Sequence, residues 1–505
     1  MKTHSKNSPT IPAPLAGLGN IRGITGREVN AIQEQLKVNS TRELIPLISN
    51  GRLETVEGLT PLQVKNIRQA LKLYKNANSR YLRWDAHLIG EELLRAIGQF
   101  PQVEKVLLTG SLRRGKDTIG DIDILVQLSE ADRRKLLYKI ARMPQTEGII
   151  AAGPHHFCVV LRNQMQVDIR LATNKYFGAS LLYYTGSVKY NTDMDELAAS
   201  KGLKITPTGL IDSHTGEYVA GEQEEDIYRK LQIDFITPEL RENHDILNAA
   251  AGHQVPLLVT FNQLKGDMQI HTNWSDGTES IAAIAQYLSH AYPHYHYIVI
   301  TDHVSASRDN HILHTEDIFR QAAEIDRINA AMGYDYIKKG AEIDIGKDDN
   351  TALPDEILQQ FDWVIASIHS DFSSDNTSRL IKICENPYIH CIGHPSGRLI
   401  GIRNPYPVNW DEVFTRAAAT GTAMEINARP KRLDLNDTLV RQAVDKGVKI
   451  VVNSDARNLT DFDFVKMGIS TARRGACNKT DILNTGCWDE IEKFKTTKQQ
   501  QLLKR

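Results

Sequence analysis

The chain has little cysteine and none of it in a useful pattern. Cys158, Cys384, Cys391, Cys477 and Cys487 are scattered and odd in number. No Cys-x-x-Cys spacing occurs, which argues against a disulfide framework and against a cysteine zinc site. The chain also lacks any run of about eighteen apolar residues of the kind that crosses a bilayer. Its first residues, MKTHSKNSPTIPAP, lack the apolar core of a signal peptide. These absences predict a cytoplasmic protein with no membrane partner. Net charge is nearly missing as well, since 60 Lys and Arg against 62 Asp and Glu leave −2.

What is present suits a soluble multidomain protein. With 505 residues, 41% of them hydrophobic and 24% charged, the chain is too long for one core and predicts about two to four domains. The near-neutral total hides an asymmetry, because residues 1–80 carry twelve Lys and Arg against five Asp and Glu, a local +7. A basic segment on a neutral protein is a plausible footprint for nucleic acid. A solvated helical face with surplus cations explains the same count equally well.

The chemistry concentrates between Leu107 and Val126, LLTGSLRRGKDTIGDIDILV. After Gly120, polar and apolar residues alternate as in a strand, so Asp121 and Asp123 point the same way. Two carboxylates that close repel each other unless a divalent cation lies between them, which suggests Mg²⁺ and phosphate chemistry. The turn at Gly110 and Ser111 and the arginines Arg113 and Arg114 suit a triphosphate. A third carboxylate, Asp168, stands in the strand-like QMQVDIR, reached from CVVLRN through the polar turn Arg162, Asn163 and Gln164. Three carboxylates on adjacent strands suit two Mg²⁺ ions in an in-line displacement.

Upstream, residues 1–16 read as disordered, and a Gly-turn-helix pattern then appears twice. It runs from Gly23 through Gly26 to Val29 and again from Gly58 through Thr60 to Val64, the two leading glycines 35 positions apart. Backbone N–H groups at such helix starts can meet a phosphate. The pair resembles helix-hairpin-helix motifs, which grip a DNA backbone. The usual second glycines are replaced by Thr25 and Thr60, and two ordinary helical turns remain the alternative.

In the C-terminal half seven strand-like runs alternate with helical ones: GDMQIHT, YIVITDH, YIKKGAEIDI, DWVIASIH, YIHCIGHP, AMEINA and KIVVNSDA. Such alternation predicts parallel strands closing into a barrel. His271, His303, Glu342, His369, His394 and Asp455 each fall at or near the C-terminal end of a different run, the face on which barrels of this kind place their sites. Imidazole and carboxylate together suit Zn²⁺ or Mn²⁺.

Taken in order, the Gly-Ser turn, Arg-Arg-Gly, Gly-Asp-x-Asp, Val-Asp-x-Arg and Tyr184-Thr185-Gly186-Ser187 resemble the family X DNA polymerases, members of the nucleotidyltransferase superfamily. The resemblance implies catalytic metal ligands at Asp121, Asp123 and Asp168, with Asp168 serving a primer 3′-hydroxyl. It implies nucleotide contacts at Gly110, Ser111, Arg114, Gly120, Tyr184, Gly186, Ser187 and Asn191, and DNA contacts at Gly23, Gly26 and Gly58. The barrel resembles the PHP domain, named for polymerase and histidinol phosphatase, which is fused to bacterial members. Gly266–Thr272, Trp274–Gly277, Thr301–His303, Ala366–His369, Gly393–Pro395 and Asn453–Arg457 carry that likeness.

The resemblance implies a multidomain α+β and α/β protein. A helix-hairpin-helix segment (17–80) precedes a nucleotidyltransferase palm (81–175), a thumb-like nucleotide-binding subdomain (176–240), a linker (241–260) and a distorted seven-stranded PHP barrel (261–505). The implied activity is gap-filling DNA synthesis on gapped or primer-template DNA from deoxynucleoside triphosphates. The rival readings are a phosphoesterase or 3′-5′ exonuclease seated in the barrel, and a non-catalytic DNA-binding protein. Only about twenty residues precede Gly23 where relatives have a further helical domain, so no lyase activity is expected.

Two departures bear on activity. Where bacterial members carry cations after Thr-Gly-Ser and after the Asn, this chain has Val188, Asp193 and Asp195, which predicts repulsion of a template strand. The family's barrel uses nine ligands for a trinuclear centre, and seven are kept: His271, Asp276, His303, Glu342, His369, His394 and Asp455. Gln269 and Arg457 stand where the other two histidines would be. Gln is a poor ligand for a transition metal and Arg stays protonated, so the barrel is expected to have lost its full centre, with Arg457 placing a fixed charge where a metal would sit. A two-metal site of altered specificity remains the alternative.

Overall fold

The computed structural model describes residues 26–38, 51–61, 63–64, 67–68, 80–243, 245–304, 313–346, 351 and 353–504. Residues 1–16, Gly23 and Thr25 therefore lie outside the described residues. The chain folds as two compact units, Met1–Ile233 and Asp234–Arg505. Among the described residues no helix is long and apolar enough to cross a membrane.

The first unit begins with the helix Gly26–Leu36, whose Val29 and Ile32 pack with Leu53, Val56, Val64 and Ile67 in a small core. Gly58, at φ +93°, supplies the left-handed turn that a side chain would disfavour. Thr60 then caps the helix after it: Gln63 N donates to Thr60 Oγ1 at 3.3 Å and Thr60 N donates to Gln63 Oε1 at 2.8 Å. A reciprocal pair of this kind satisfies two orphan N–H groups at a helix start, which gives the threonine at the second-glycine position a structural role.

Next come β1 (Tyr81–Leu82), β2 (Lys105–Leu108), β3 (Thr118–Ile119), β4 (Ile122–Gln127), β5 (Thr146–Ala152), β6 (His156–Leu161) and β7 (Gln166–Ala172). Five of them form one sheet in the order β2-β4-β7-β6-β5, in which β4 and β7 run parallel while the other pairs are antiparallel. Ile122, Ile124 and Val126 on β4 and Val167, Ile169 and Leu171 on β7 bury one face in the palm core, so the intervening positions, Asp123 and Asp168 among them, are turned to the other face. β6 and β7 form the expected hairpin. The helices Phe177–Thr185 and Val188–Ser200, the small sheet of β8 (Leu203–Thr206), β9 (Gly209–Asp212) and β10 (Tyr218–Ala220), and the helix Glu224–Leu231 complete this unit.

The second unit is the parallel barrel. β11 (Gly266–Ile270), β12 (Tyr297–Ile300), β13 (His303–Val304), β14 (Ile337–Asp344), β15 (Trp363–Ser367), β16 (Cys391–Ile392), β17 (Ala423–Asn427) and β18 (Ile450–Asn453) follow one another in the chain. The sheet order is β11-β12-β14-β15-β16-β17-β18, with β13 paired to β14, and a parallel bridge between Ile270 and Ala456 draws the ends together. All seven expected strands are present, with one difference: YIVITDH breaks after Ile300. Thr301 and Asp302 leave the ladder, and His303 begins a second short strand against Glu342 and Ile343. The break has a cause in Asp302, which accepts from Thr272 N at 2.7 Å, Thr272 Oγ1 at 2.6 Å and Gln321 Nε2 at 2.6 Å, bonds that aim it away from the strand.

Residues that alternate along the strands enter two apolar layers, as expected for strands covered on both faces. Ile298, Val364, Met424 and Val452 join the large cluster shared with the helices. Val299, Trp363, Ile365, Ala423 and Val451 form a smaller one with Ile491, backed by Trp488 and Phe494 of the last helix, Trp488–Leu503.

Candidate active site

Parallel pairing of β4 with β7 sets Asp123 directly opposite Asp168, and Asp121 lies just before β4. The three carboxylates crowd one another. Asp123 is pushed up to about 7 by burial, then by the charges of Asp121 and Asp168, against the pull of Arg170 and Arg114. Burial and Asp168 also raise Asp121. Asp168 goes the other way: burial would raise it, and hydrogen bonds from His156 and Gln166 hold it low. His156 Nε2 lies 2.5 Å from Asp168 Oδ1, and Gln166 Nε2 donates to Oδ2 at 2.6 Å. A buried cluster of oxygen donors whose ionised forms repel one another fits hard divalent cations.

Of the remaining expected nucleotide residues, Gly110 and Arg114 lie beside this cluster. Gly110, at φ +59°, opens the four-residue helix Gly110–Arg113 and lies so near Asp123 that a Cβ would stand 1.8 Å from its Oδ2. Ser111 follows within that helix. Arg114 donates to the backbone oxygen of Thr185. Arg113 grips Glu224 through both oxygens, at 3.1 and 2.7 Å, and reaches Thr185 Oγ1 at 2.5 Å, which ties the palm to two helices of the thumb-like region. Tyr184 lies under Arg170, the guanidinium 5.0 Å from the ring centre. Gly186 takes φ +67°, and Ser187 caps the next helix by accepting from Tyr190 N. Asn191 Nδ2 donates to Tyr183 O at 2.7 Å. Gly120 has Arg80 Nη1 3.7 Å from where its Cβ would be.

Near the expected template path the acidic residues have local partners. Asp193 pairs with Lys189 at 2.9 Å on one helix face, and Asp195 accepts from Ile205 N at 3.2 Å. Val188 is 85% exposed.

In the barrel, Glu342 is the centre of the constellation. His271, His303 and Glu342 present ligand atoms close together, and so do Glu342, His369 and His394. His394 Nε2 is 3.2 Å from Glu342 Oε1 and 3.2 Å from His369 Nε2. His369 Nδ1 is 2.5 Å from Asp344 Oδ1, the outer partner that fixes a metal-ligating ring. Burial would raise Glu342, but His303, His271, His394 and His369 hold it well below the usual carboxylate range. Burial followed by Arg432 pulls His394 down to about 3. His271 Nε2 lies 3.3 Å from Glu342 Oε2 and 3.2 Å from Asp455 Oδ1. Burial and Arg457 would lower His271, and those two carboxylates outweigh them, raising it to about 9. His394 (φ +28°) and Asp455 (φ +53°) hold left-handed backbone, strain of a kind that gathers at functional sites.

Several residues of these sites were not singled out from sequence. His156 depends on cross-strand register, which no local pattern announces, whereas Gln166 stands two positions before Asp168 on the same strand. Asp344 stands two positions after Glu342 on one strand, so the i, i+2 rule was a usable signal. Glu425, fully buried on β17, accepts from His394 N at 2.6 Å and Asn453 Nδ2 at 2.7 Å. It is one of two polar residues of its strand, with Asn427, both visible in AMEINA.

Among known proteins, the family model for the DNA polymerase beta thumb matches residues 180–242. The DNA polymerase/3′-5′ exonuclease PolX of Bacillus subtilis (strain 168) is 31% identical over 490 residues, 96% of this chain and 85% of that protein. A probable phosphatase of Thermoanaerobacter sp. (strain X514) is 32% identical over 162 residues, 30% of this chain and 64% of its own, just under two thirds. The ternary primer-template complex of Leishmania infantum polymerase beta aligns with TM-score 0.37 and 20% identity, over 45% of this chain and 97% of that one.

Proposed function

The chain belongs to the PolX family of DNA polymerases, within family X, and on that premise we propose that it is a DNA nucleotidyltransferase that fills short gaps during repair. The observation that carries this reading is the apposition of Asp123 and Asp168 on parallel strands with Asp121 beside them.

Asp121, Asp123 and Asp168 would hold two divalent cations, Mg²⁺ in our reading, whose charge would acidify a 3′-hydroxyl and balance a departing pyrophosphate. The chain's own groups do the rest. Ser111 and Arg114 bind the triphosphate of a deoxynucleotide, and the glycines Gly110 and Gly120 let backbone approach it. Tyr184, Gly186, Ser187 and Asn191 line the sugar pocket. Asp168, oriented by His156 and Gln166, faces the primer hydroxyl. Residues 17–80 grip gapped or primer-template DNA through Gly23, Gly26 and Gly58, residues 81–175 form the palm, and 176–240 close on the nucleotide. Residues 241–260 lead to the barrel, 261–505. The setting is the cytoplasm.

A second reading, hydrolysis of DNA ends in the barrel, is favoured by the convergence of Glu342, His369 and His394. One experiment ranks the two. A labelled primer on gapped DNA is incubated with the full chain and with its Asp123→Asn variant, each with and without deoxynucleotides. Extension by the first and none by the second supports the polymerase, equal extension by both overturns the assigned site, and shortening without nucleotides supports the hydrolase.

A further inference from the structure

Six of the barrel's seven metal-type residues divide into two halves of different character, and the seventh, His271, lies between them, its Nε2 3.3 Å from Glu342 Oε2 and 3.2 Å from Asp455 Oδ1. In one half Glu342, His369 and His394 converge, and among the described residues no guanidinium stands within bonding distance of them. Ser367 Oγ donates to Glu342 Oε1 at 2.6 Å and Asp344 holds the far nitrogen of His369, so each donor except His394 is oriented by an outer partner. Gly393 keeps the wall thin, since a Cβ there would stand 2.3 Å from Ser367 Oγ.

In the other half Arg457 enters as a fork. Its Nε donates to Asp276 Oδ2 at 2.5 Å and its Nη1 to Asp455 Oδ1 at 2.5 Å, while its Nη2 lies 3.4 Å from His303 Nε2. Asp276, His303 and Asp455 therefore share one guanidinium. A metal-nitrogen bond to imidazole is about 2.0–2.1 Å, so Nη2 fills the space that an ion on His303 Nε2 would need; Nη1 takes the Asp455 Oδ1 that His271 Nε2 faces at 3.2 Å, while His303 Nδ1 stays turned to Glu342 Oε2 at 3.5 Å. Arg offers donors and no lone pair, and its charge is fixed. Both amide atoms of the fully buried Gln269 have no hydrogen-bond partner in the structure, and a Gln amide is a weak substitute for imidazole towards a transition metal. The residues present do not fit the trinuclear centre of the family.

We propose that the barrel holds a single divalent transition-metal ion, on Glu342, His369 and His394, and that Arg457 is a built-in cation that occupies the other half of the cluster by bridging Asp276 and Asp455. The guanidinium stabilises the two carboxylates as an ion would, while closing the open coordination positions that a multinuclear phosphoesterase needs. The barrel keeps its shape, and one ion is all it takes up. This inference is independent of the polymerase reading, because the ions it counts are those of the barrel alone.

The test is a count. The full chain, in the Asp123→Asn background to suppress ions held by the palm, is saturated with Zn²⁺, desalted and analysed for metal and protein. The expected result is about one Zn²⁺ per chain, falling to near zero in His394→Ala and rising to about two in Arg457→His, which replaces the guanidinium by a ligand. Two or three ions in the parent protein, or none, overturns the proposal, and that count decides even if a variant misfolds. A folded Arg457→His that still binds one ion equally removes the role given to Arg457. Visible absorption of the Co²⁺-loaded protein provides a second readout. Bands that vanish in His394→Ala and persist in Asp276→Asn place the ion in the proposed half, and the reverse pattern overturns the placement.

Discussion

Gly110 and Asp123 touch so closely that a methyl group on the glycine would stand 1.8 Å from the carboxylate oxygen. The backbone at Gly110 also holds φ +59°, which a side chain disfavours. Gly110→Ala must therefore displace Asp123 from its place opposite Asp168. We expect nucleotide incorporation on gapped DNA to fall by about 100-fold, since a displacement near 1 Å in a catalytic geometry has that scale of effect. Far-ultraviolet circular dichroism should stay unchanged, which separates a misplaced carboxylate from a misfolded palm.

His156 grips Asp168 at 2.5 Å from the neighbouring strand. Removing that partner leaves the carboxylate to Gln166 and to the longer contact from the Cys158 thiol at 3.8 Å. In His156→Ala the rate of incorporation should drop by about 10- to 100-fold, the usual range for losing an outer partner of a ligand, with the KM for deoxynucleotide little changed. His156→Gln, which keeps a donor, should recover part of the loss in single-turnover kinetics.

Asp193 spends its charge on Lys189 at 2.9 Å, so the repulsion of a template expected from sequence is already reduced. Asp193→Arg converts this pair into two neighbouring cations. If DNA passes over that helix, binding should tighten at low salt and the slope of log K against log salt should steepen by about 1–2, measured by fluorescence anisotropy. An unchanged slope removes this helix from the DNA path.

Lys498 is buried in the barrel, donating to Cys384 O at 3.1 Å and Thr422 Oγ1 at 2.5 Å. Burial lowers its ammonium from 10.5 to about 8, against the opposing pull of Cys384 and Cys391. The folded value thus lies below the unfolded one. Beneath pH 8 both states carry the proton and folding bears the full penalty, up to about 3 kcal/mol. Between 8 and 10.5 the unfolded chain binds more protons, so stability rises with pH. Lys498→Met should stabilise the barrel by about 1–2 kcal/mol at pH 7, allowing for two lost hydrogen bonds. Thermal melts should show the advantage shrinking to nothing or reversing by about pH 10.5.

Much of the fold was legible because its signals are local. The seven barrel runs are short apolar stretches with polar residues at their ends, and a strand buried on both faces writes itself that way. Asp121 and Asp123 were readable from their i, i+2 spacing, and Asp168 from its strand-like flanks. His156 was invisible, because its place beside Asp168 depends on how β6 registers against β7. The break of the second barrel strand at Thr301 was equally hidden, since Asp302 is drawn off by Thr272 and Gln321, one thirty positions before it and the other nineteen after.

The sequence by itself determined which residue types are available: a complete set of palm carboxylates, seven metal-type residues in the barrel, and Gln269 and Arg457 where two further ligands would stand. Chain chemistry settles that much, because Arg stays charged and Gln binds transition metals poorly wherever they lie. Only the tertiary structure decided what those residues do to one another. Strand pairing put Asp123 against Asp168, and barrel closure brought Arg457 between Asp276 and Asp455, residues 181 and two positions away along the chain. Electrostatic attraction acts through space, so a substitution that reads as a lost ligand becomes, once folded, a cation held by the carboxylates around it.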